Sequence, residues 1–152
     1  MITKNIWKKS IAQDKLQVLF DINILLDVLQ ERKDFYDFSA RSLAYAETGV
    51  IQGWLAAHSV TTLFYLIAKD KSPEQARVTL TSILQFLKIA PVDQNTIEQA
   101  LNLPYRDFED AVHMIAALQV HADYLLTRNV RDYQPAPMEV VQPVELLAVV
   151  KS

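Results

Sequence analysis

The chain of 152 residues contains no cysteine. That excludes disulfides, thiolate zinc sites and cysteine nucleophiles, and it suits a cytoplasmic protein. Glycine occurs only at Gly49 and Gly53, too sparse for a glycine-rich phosphate loop. No apolar run approaches the roughly 18 residues a membrane-spanning helix needs, so no membrane partner is expected. Lys4, Lys8 and Lys9 have no apolar stretch behind them and do not read as a secretory signal. The strongly basic balance typical of nucleic-acid binders is also missing, since the net charge is -3. A local basic rim around an acidic site stays compatible with that total.

The residues present fit one ordinary domain, with 51% hydrophobic composition to supply its core. Residues 1–16 read as a polar, basic extension in which Ile6 and Trp7 are the adjacent bulky apolar pair. Residues 17–152 read as the domain. Strands are predicted over 17–21, 50–57, 88–91, 122–127 and 140–141, alternating with helices, and this pattern gives a three-layer α/β domain with a mainly parallel sheet of four to five strands. Gly49 stands where a helix over 36–48 wants a left-handed cap. Ser59 is read as the N-cap of a helix over 60–68, and Pro73 as the first residue of the next.

Three polar stretches carry the chemistry. The first is Val18-Leu19-Phe20-Asp21-Ile22-Asn23, an apolar strand ending in an acid where a helix starts. Strand ends of a parallel sheet border the crevice where α/β folds place ligands. An acid there is costly to bury without a cation, which makes Asp21 a candidate for one side of a divalent-metal site. The second stretch, 105–118, has Ala111, Met114, Ile115 and Leu118 as its buried stripe. Asp107 and Asp110 share a face at the margin of that stripe. The plain alternative is a capping arrangement, with Asp107 at the helix start and Asp110 reaching back. The third stretch, Thr127-Arg128-Asn129-Val130-Arg131-Asp132-Tyr133, follows a strand, so Thr127 and Asn129 face the same crevice; a polar turn is the plain alternative for Asn129.

Taken in order and spacing, Asp-x-Asn, Asp-Phe-Glu-Asp-Ala and Thr-Arg-Asn-Val-Arg-Asp-Tyr resemble a PIN domain, and within it the branch holding the VapC-type nuclease toxins. The resemblance runs from about Gln17 to the C-terminus. It implies a three-layer α/β/α PIN-like fold and an endoribonuclease that uses Mg²⁺ or Mn²⁺, acting as the toxin of a toxin–antitoxin pair. RNA, an antitoxin protein and a second copy of the chain are the implied partners. By the same resemblance, Asp21 and Asp110 are the principal metal ligands and catalytic acids. Asn129 holds a metal-bound water, and Asn23 and Thr127 orient carboxylates and waters. PIN nucleases commonly carry a Glu in the helix after strand two, and Thr62 stands in the best-matching position here. Asp107 is the candidate compensating acid, ahead of Asp132. Arg128 and Arg131 flank the site as candidate phosphate contacts, with surface charge the plain alternative.

His58 is read as binding backbone at a helix start, His113 as structural, and His121 as a cation favoured at a helix end. Phe38, Tyr45, Phe64, Tyr65 and Phe86 are read as core or oligomer interface. The alternative function is a PIN-fold module with a depleted site that binds RNA or a protein without cutting. A phosphatase with Asp21 as nucleophile wants a second acid two residues on, where Asn23 stands.

Overall fold

A computed structural model describes residues 15–151, so most of the basic extension, with Ile6 and Trp7, lies outside the described residues. The first strand, β1 (Gln17–Phe20), is a continuous apolar run. Val18, Leu19 and Phe20 are fully buried, as in a strand covered on both faces. Helix α1 (Ile22–Leu29) starts directly after Asp21, two residues earlier than apolar periodicity alone suggests, because the Asp21 carboxylate caps it.

Helix α2 (Tyr36–Glu47) closes with Gly49 at φ +82°, the left-handed conformation expected there. Strand β2 (Gln52–Ala56) leads without a break into α3 (Ala57–Asp70). Ser59 does not cap this helix, which begins two residues before it; it lies buried in the first turn, held by a partner on another helix. Ser72 caps α4 (Pro73–Ile83), with Pro73 in the first turn. Strand β3 (Leu87–Ala90) precedes α5 (Gln94–Ala100), where Asp93 and Thr96 form a capping box. Then come α6 (Phe108–Gln119), β4 (Tyr124–Leu126), a 3₁₀ turn (Val130–Tyr133), β5 (Val140–Val141) and α7 (Pro143–Lys151).

The five strands are ordered β3-β2-β1-β4-β5, and every pairing is parallel. One core cluster joins Val18, Phe20, Leu55 and Leu126 to apolar residues of α1, α3, α4 and α7. A second joins Leu19, Ala56, Ala90 and Leu125 to Met114, Ala116 and Ala117 of α6. The result is a three-layer α/β/α fold. Chain order runs outward from β1 through β2 to β3, then returns to β4 on the other side of β1. The crevice between the carboxyl ends of β1 and β4 is therefore the topological switch point, where such sheets bind ligands. Asp21 and Thr127 are the residues that follow those two strand ends. Among the described residues no helix is long and apolar enough to cross a membrane. Phe38 and Tyr65 are exposed, whereas Tyr45, Phe64 and Phe86 pack against the core.

Candidate metal centre

Asp21 is only 4% exposed. Its Oδ1 accepts the Asn23 backbone amide at 3.0 Å. Its Oδ2 accepts two hydroxyls, Thr127 at 3.0 Å and Tyr133 at 2.9 Å. Thr127 also accepts the Asn129 amide at 3.1 Å, which fixes the turn after β4. Among the described residues the hydrogen-bond partners of Asp21 are all neutral.

Asp110 projects from the first turn of α6 and is mostly buried. The Tyr133 hydroxyl lies 3.1 Å from its Oδ1, so one phenol stands between two carboxylates. Burial pushes the Asp110 carboxyl above the usual carboxylate range; a hydrogen bond from His113 opposes this, and the charges of Asp21 and Asp107 add to it. Asp110 thus does not reach back to cap its helix. The Tyr133 phenol is driven far above its ordinary range, first by burial and then by the charges of Asp21 and Asp110, so it keeps its proton.

Fully buried His113 closes the cluster from α6. Its Nδ1 is 3.1 Å from the Tyr133 oxygen and 3.6 Å from Asp110 Oδ1, and its Nε2 is 2.7 Å from Ser59 Oγ. One arrangement of protons satisfies these contacts: Ser59 donates to Nε2, Nδ1–H donates toward Tyr133 and Asp110, and Tyr133 donates to Asp21. His58 stacks at a tilt 4.6 Å from His113. Its Nε2 donates to the Glu109 carbonyl at 3.2 Å, backbone in the first turn of α6, and so ties α3 to α6. Burial, then the neighbouring His113, pull its pKa down to about 4. Glu109 is raised, chiefly by burial.

Ligand atoms of Asp21, Asp110 and His113 all lie within 4.8 Å of one another. Among the described residues, neither acid forms an ion pair with a lysine or arginine. Two mostly buried carboxylates without a cationic partner are the environment a divalent ion relieves. Their oxygens suit a hard cation such as Mg²⁺ or Mn²⁺. Both nitrogens of His113 already have partners, which leaves the oxygens as the first donors. The residues present fit such an ion.

The other sequence-derived candidates stand further out. Asp107 is exposed and caps α6 by accepting the Glu109 amide at 2.9 Å, although its charge still acts on Asp110. Asn129 is exposed at the start of the 3₁₀ turn. The Asn23 side chain accepts from Arg32 at 3.3 Å, so its backbone amide, not its amide group, holds Asp21. Thr62 is half-buried one turn beyond His58 and Ser59 on α3; through those two residues α3 meets α6. Arg128 turns to Asp27, with Nε 3.1 Å from Oδ2, and its guanidinium lies 3.9 Å from the centre of the Phe35 ring. Tyr133 is the participant the sequence reading missed. The available signal was a tyrosine one short turn after Asn129: a buried phenol needs a polar partner, and the strand-end crevice supplies one.

The fold and this acidic crevice define a class: parallel α/β domains with paired carboxylates at the switch point of the sheet. The chain belongs to the PIN domain family, whose model matches residues 17–131. No curated protein sequence matches it. Among solved structures it is similar in fold to FitAcB from Neisseria gonorrhoeae, at 20% identity and a TM-score of 0.65, covering 84% of this chain and 98% of the other. A toxin–antitoxin complex from Klebsiella pneumoniae has 24% identity and a TM-score of 0.64, covering 83% and 97%. VapC20 from Mycobacterium tuberculosis, described as a toxin that cleaves the sarcin–ricin loop, has 12% identity and a TM-score of 0.57, covering 71% and 86%.

Proposed function

We propose that the protein is a divalent-metal-dependent endoribonuclease, the toxin-like member of a toxin–antitoxin pair. The observation that carries this is the Asp21–Asp110 pair, mostly buried, lying at the switch point with no lysine or arginine partner among the described residues. Membership of the PIN family and fold similarity to toxin–antitoxin proteins, one of them an RNA-cleaving toxin, support the same reading. An antitoxin and a second copy of the chain belong to it as partners.

In this reading Asp21 and Asp110 hold Mg²⁺ or Mn²⁺, and Asp107 and Asn129 act on its waters from the rim. The ion, when bound, supplies an activated water and neutralises charge on the phosphate. Thr127 and the Asn23 amide keep the Asp21 carboxylate in one rotamer. His58 and Ser59 fix α6, and with it Asp110, against α3. Arg131, exposed at the mouth, supplies a phosphate contact.

The test is cleavage of a mixed pool of structured and single-stranded RNA with Mg²⁺, Mn²⁺ or EDTA, beside Asp21→Asn and Asp110→Asn. Metal-dependent cutting that both substitutions abolish is the expected result. Cutting retained in both sinks the proposal. A second reading, a module that binds without cutting, draws on Thr62, which brings no charge where many PIN nucleases carry a Glu. Calorimetry with Mn²⁺ separates the two, since that module shows no binding that depends on Asp21.

A further inference from the structure

We propose that the Tyr133 hydroxyl is a built-in place-holder for the cation: it bridges Asp21 and Asp110 when no ion is present and sets how tightly a divalent ion binds. The inference rests on the metal reading above.

The geometry is specific. A phenol has one proton to donate, and the Tyr133 oxygen stands 2.9 Å from Asp21 Oδ2 and 3.1 Å from Asp110 Oδ1. Asp21 Oδ2 also accepts Thr127, so the two hydroxyls together fill both of its lone pairs. An ion drawn in by both carboxylates competes for the same lone pairs. Thr127 serves one acid only, whereas Tyr133 spans the pair, so it is the Tyr133 bridge that an arriving ion must break.

Tyr133 is placed to let go without leaving. Its ring is fully buried and meets Tyr105 edge-on, with centroids 6.0 Å apart. The oxygen cannot swing away, but the proton can turn. Its alternative acceptor is His113 Nδ1, 3.1 Å off. For that nitrogen to accept, His113 must carry its proton on Nε2 and donate to Ser59 Oγ, 2.7 Å away. The chain Ser59–His113–Tyr133 can thus run in two directions. With no ion, hydrogen bonds run from Ser59 through His113 to Tyr133 and on to Asp21, with Asp110 in reach of the same phenol proton. With an ion, they run from Tyr133 to His113 to Ser59. One proton changes place on the imidazole and none is gained or lost.

Tyr133→Phe keeps the buried ring and removes the bridge. Calorimetry of the full chain with Mn²⁺ at one pH should give a dissociation constant about tenfold lower than wild type. Thr127→Val, which removes a donor to Asp21 alone and loosens the Asn129 turn, should not tighten binding. In the wild-type chain, adding Mg²⁺ should exchange the ¹⁵N signatures of His113 Nδ1 and Nε2, a readout independent of cleavage and of any variant's folding. An unchanged or weaker Mn²⁺ affinity in Tyr133→Phe, or unchanged His113 ring signals in an ion-bound wild type, overturns the inference while the metal centre stands. If neither wild type nor Tyr133→Phe binds Mn²⁺, the metal centre falls and the place-holder with it.

Discussion

Helix α1 is bracketed by two buried aspartates that the chain treats differently. Asp21 caps its first turn, and Asp27 lies near its end, fully buried. Asp27 is met by charge: Arg128 Nε at 3.1 Å, Arg32 Nη1 at 3.4 Å, and the Ser39 hydroxyl at 2.9 Å. Burial still raises its carboxyl, but Ser39 and both arginines oppose the rise. Among the described residues Asp21 is met by an amide and two hydroxyls, and across the Tyr133 bridge stands a second acid. Where the chain supplies its own cations, a buried acid serves the fold. Where the described residues supply two acids and neutral donors, the charge has no counterpart among them.

The sharpest test lies on the balanced side. Arg128→Ala removes the nearer cation from a fully buried carboxylate and uncovers the Phe35 ring. Breaking one partner of such a pair should cost about 3 kcal/mol of stability, read as a fall in the urea midpoint. A loss below about 1 kcal/mol would mean that Arg128 is an ordinary surface charge, free to serve substrate instead. On the unbalanced side the sign reverses. Asp110→Asn should leave the metal-free stability within about 1 kcal/mol of wild type, because it removes a charge that Asp21 repels. In wild type, Mn²⁺ at a hundred times its dissociation constant should add about 2.7 kcal/mol. In Asp110→Asn that addition should vanish.

The sequence makes one side of this comparison far more legible than the other. Asp21 is visible because a strand-to-helix junction has a local signature, and Asp110 because helical spacing sets it beside an apolar stripe. The parallel sheet follows from the alternation of elements. Arg128 and Tyr133 are not visible in this way. Both sit in the short segment after β4, where residues point to opposite sides with no periodicity to tell which. The 3₁₀ turn sends Tyr133 inward to Asp21, while Arg128 crosses to Asp27, 101 positions away in numbering but adjacent in space. Ser59 misleads for a related reason: its type suits an N-cap, but a buried hydroxyl opposite His113 serves a long-range partner that local propensity cannot register.

The pH axis sharpens the contrast further. His58, beside the unbalanced acids, is held down to about 4 by burial and by His113, against the opposing pull of the Glu109 carbonyl, Asp107 and Asp21. An unfolded histidine binds its proton near 6.5, so below that pH the unfolded chain takes up a proton that the folded chain refuses. The contribution of His58 is therefore complete above about pH 6.5 and is lost as the pH falls toward 4. Asp27, Asp110 and Glu109 are raised, so each runs the other way and its cost eases on acidification. His58→Gln, which keeps a donor for the Glu109 carbonyl, should flatten the fall in urea midpoint between about pH 6.5 and 4.5. An unaltered slope would place the acid sensitivity elsewhere.

The smallest effect expected is also the one that tests whether the two aspartates are independent. Arg32 lies at the limit of contact with Asp27, 3.4 Å away with its side chain 31% exposed. Arg32→Ala should therefore cost only about 0.5–1 kcal/mol, well under the loss from Arg128→Ala. The double substitution should cost more than the sum, because Asp27 is then left with Ser39 alone. Arg32 also donates to the side chain of Asn23, whose backbone amide holds Asp21. Asn23 therefore touches both regions, through its side chain on one side and its backbone amide on the other. If the regions are independent, Arg32→Ala leaves Mn²⁺ affinity unchanged, since the amide bond to Asp21 depends on the α1 cap and not on the Asn23 side chain. A weaker affinity would mean that the balanced acid tunes the unbalanced one through Asn23, and the separation of structural from functional charge on this helix would fail.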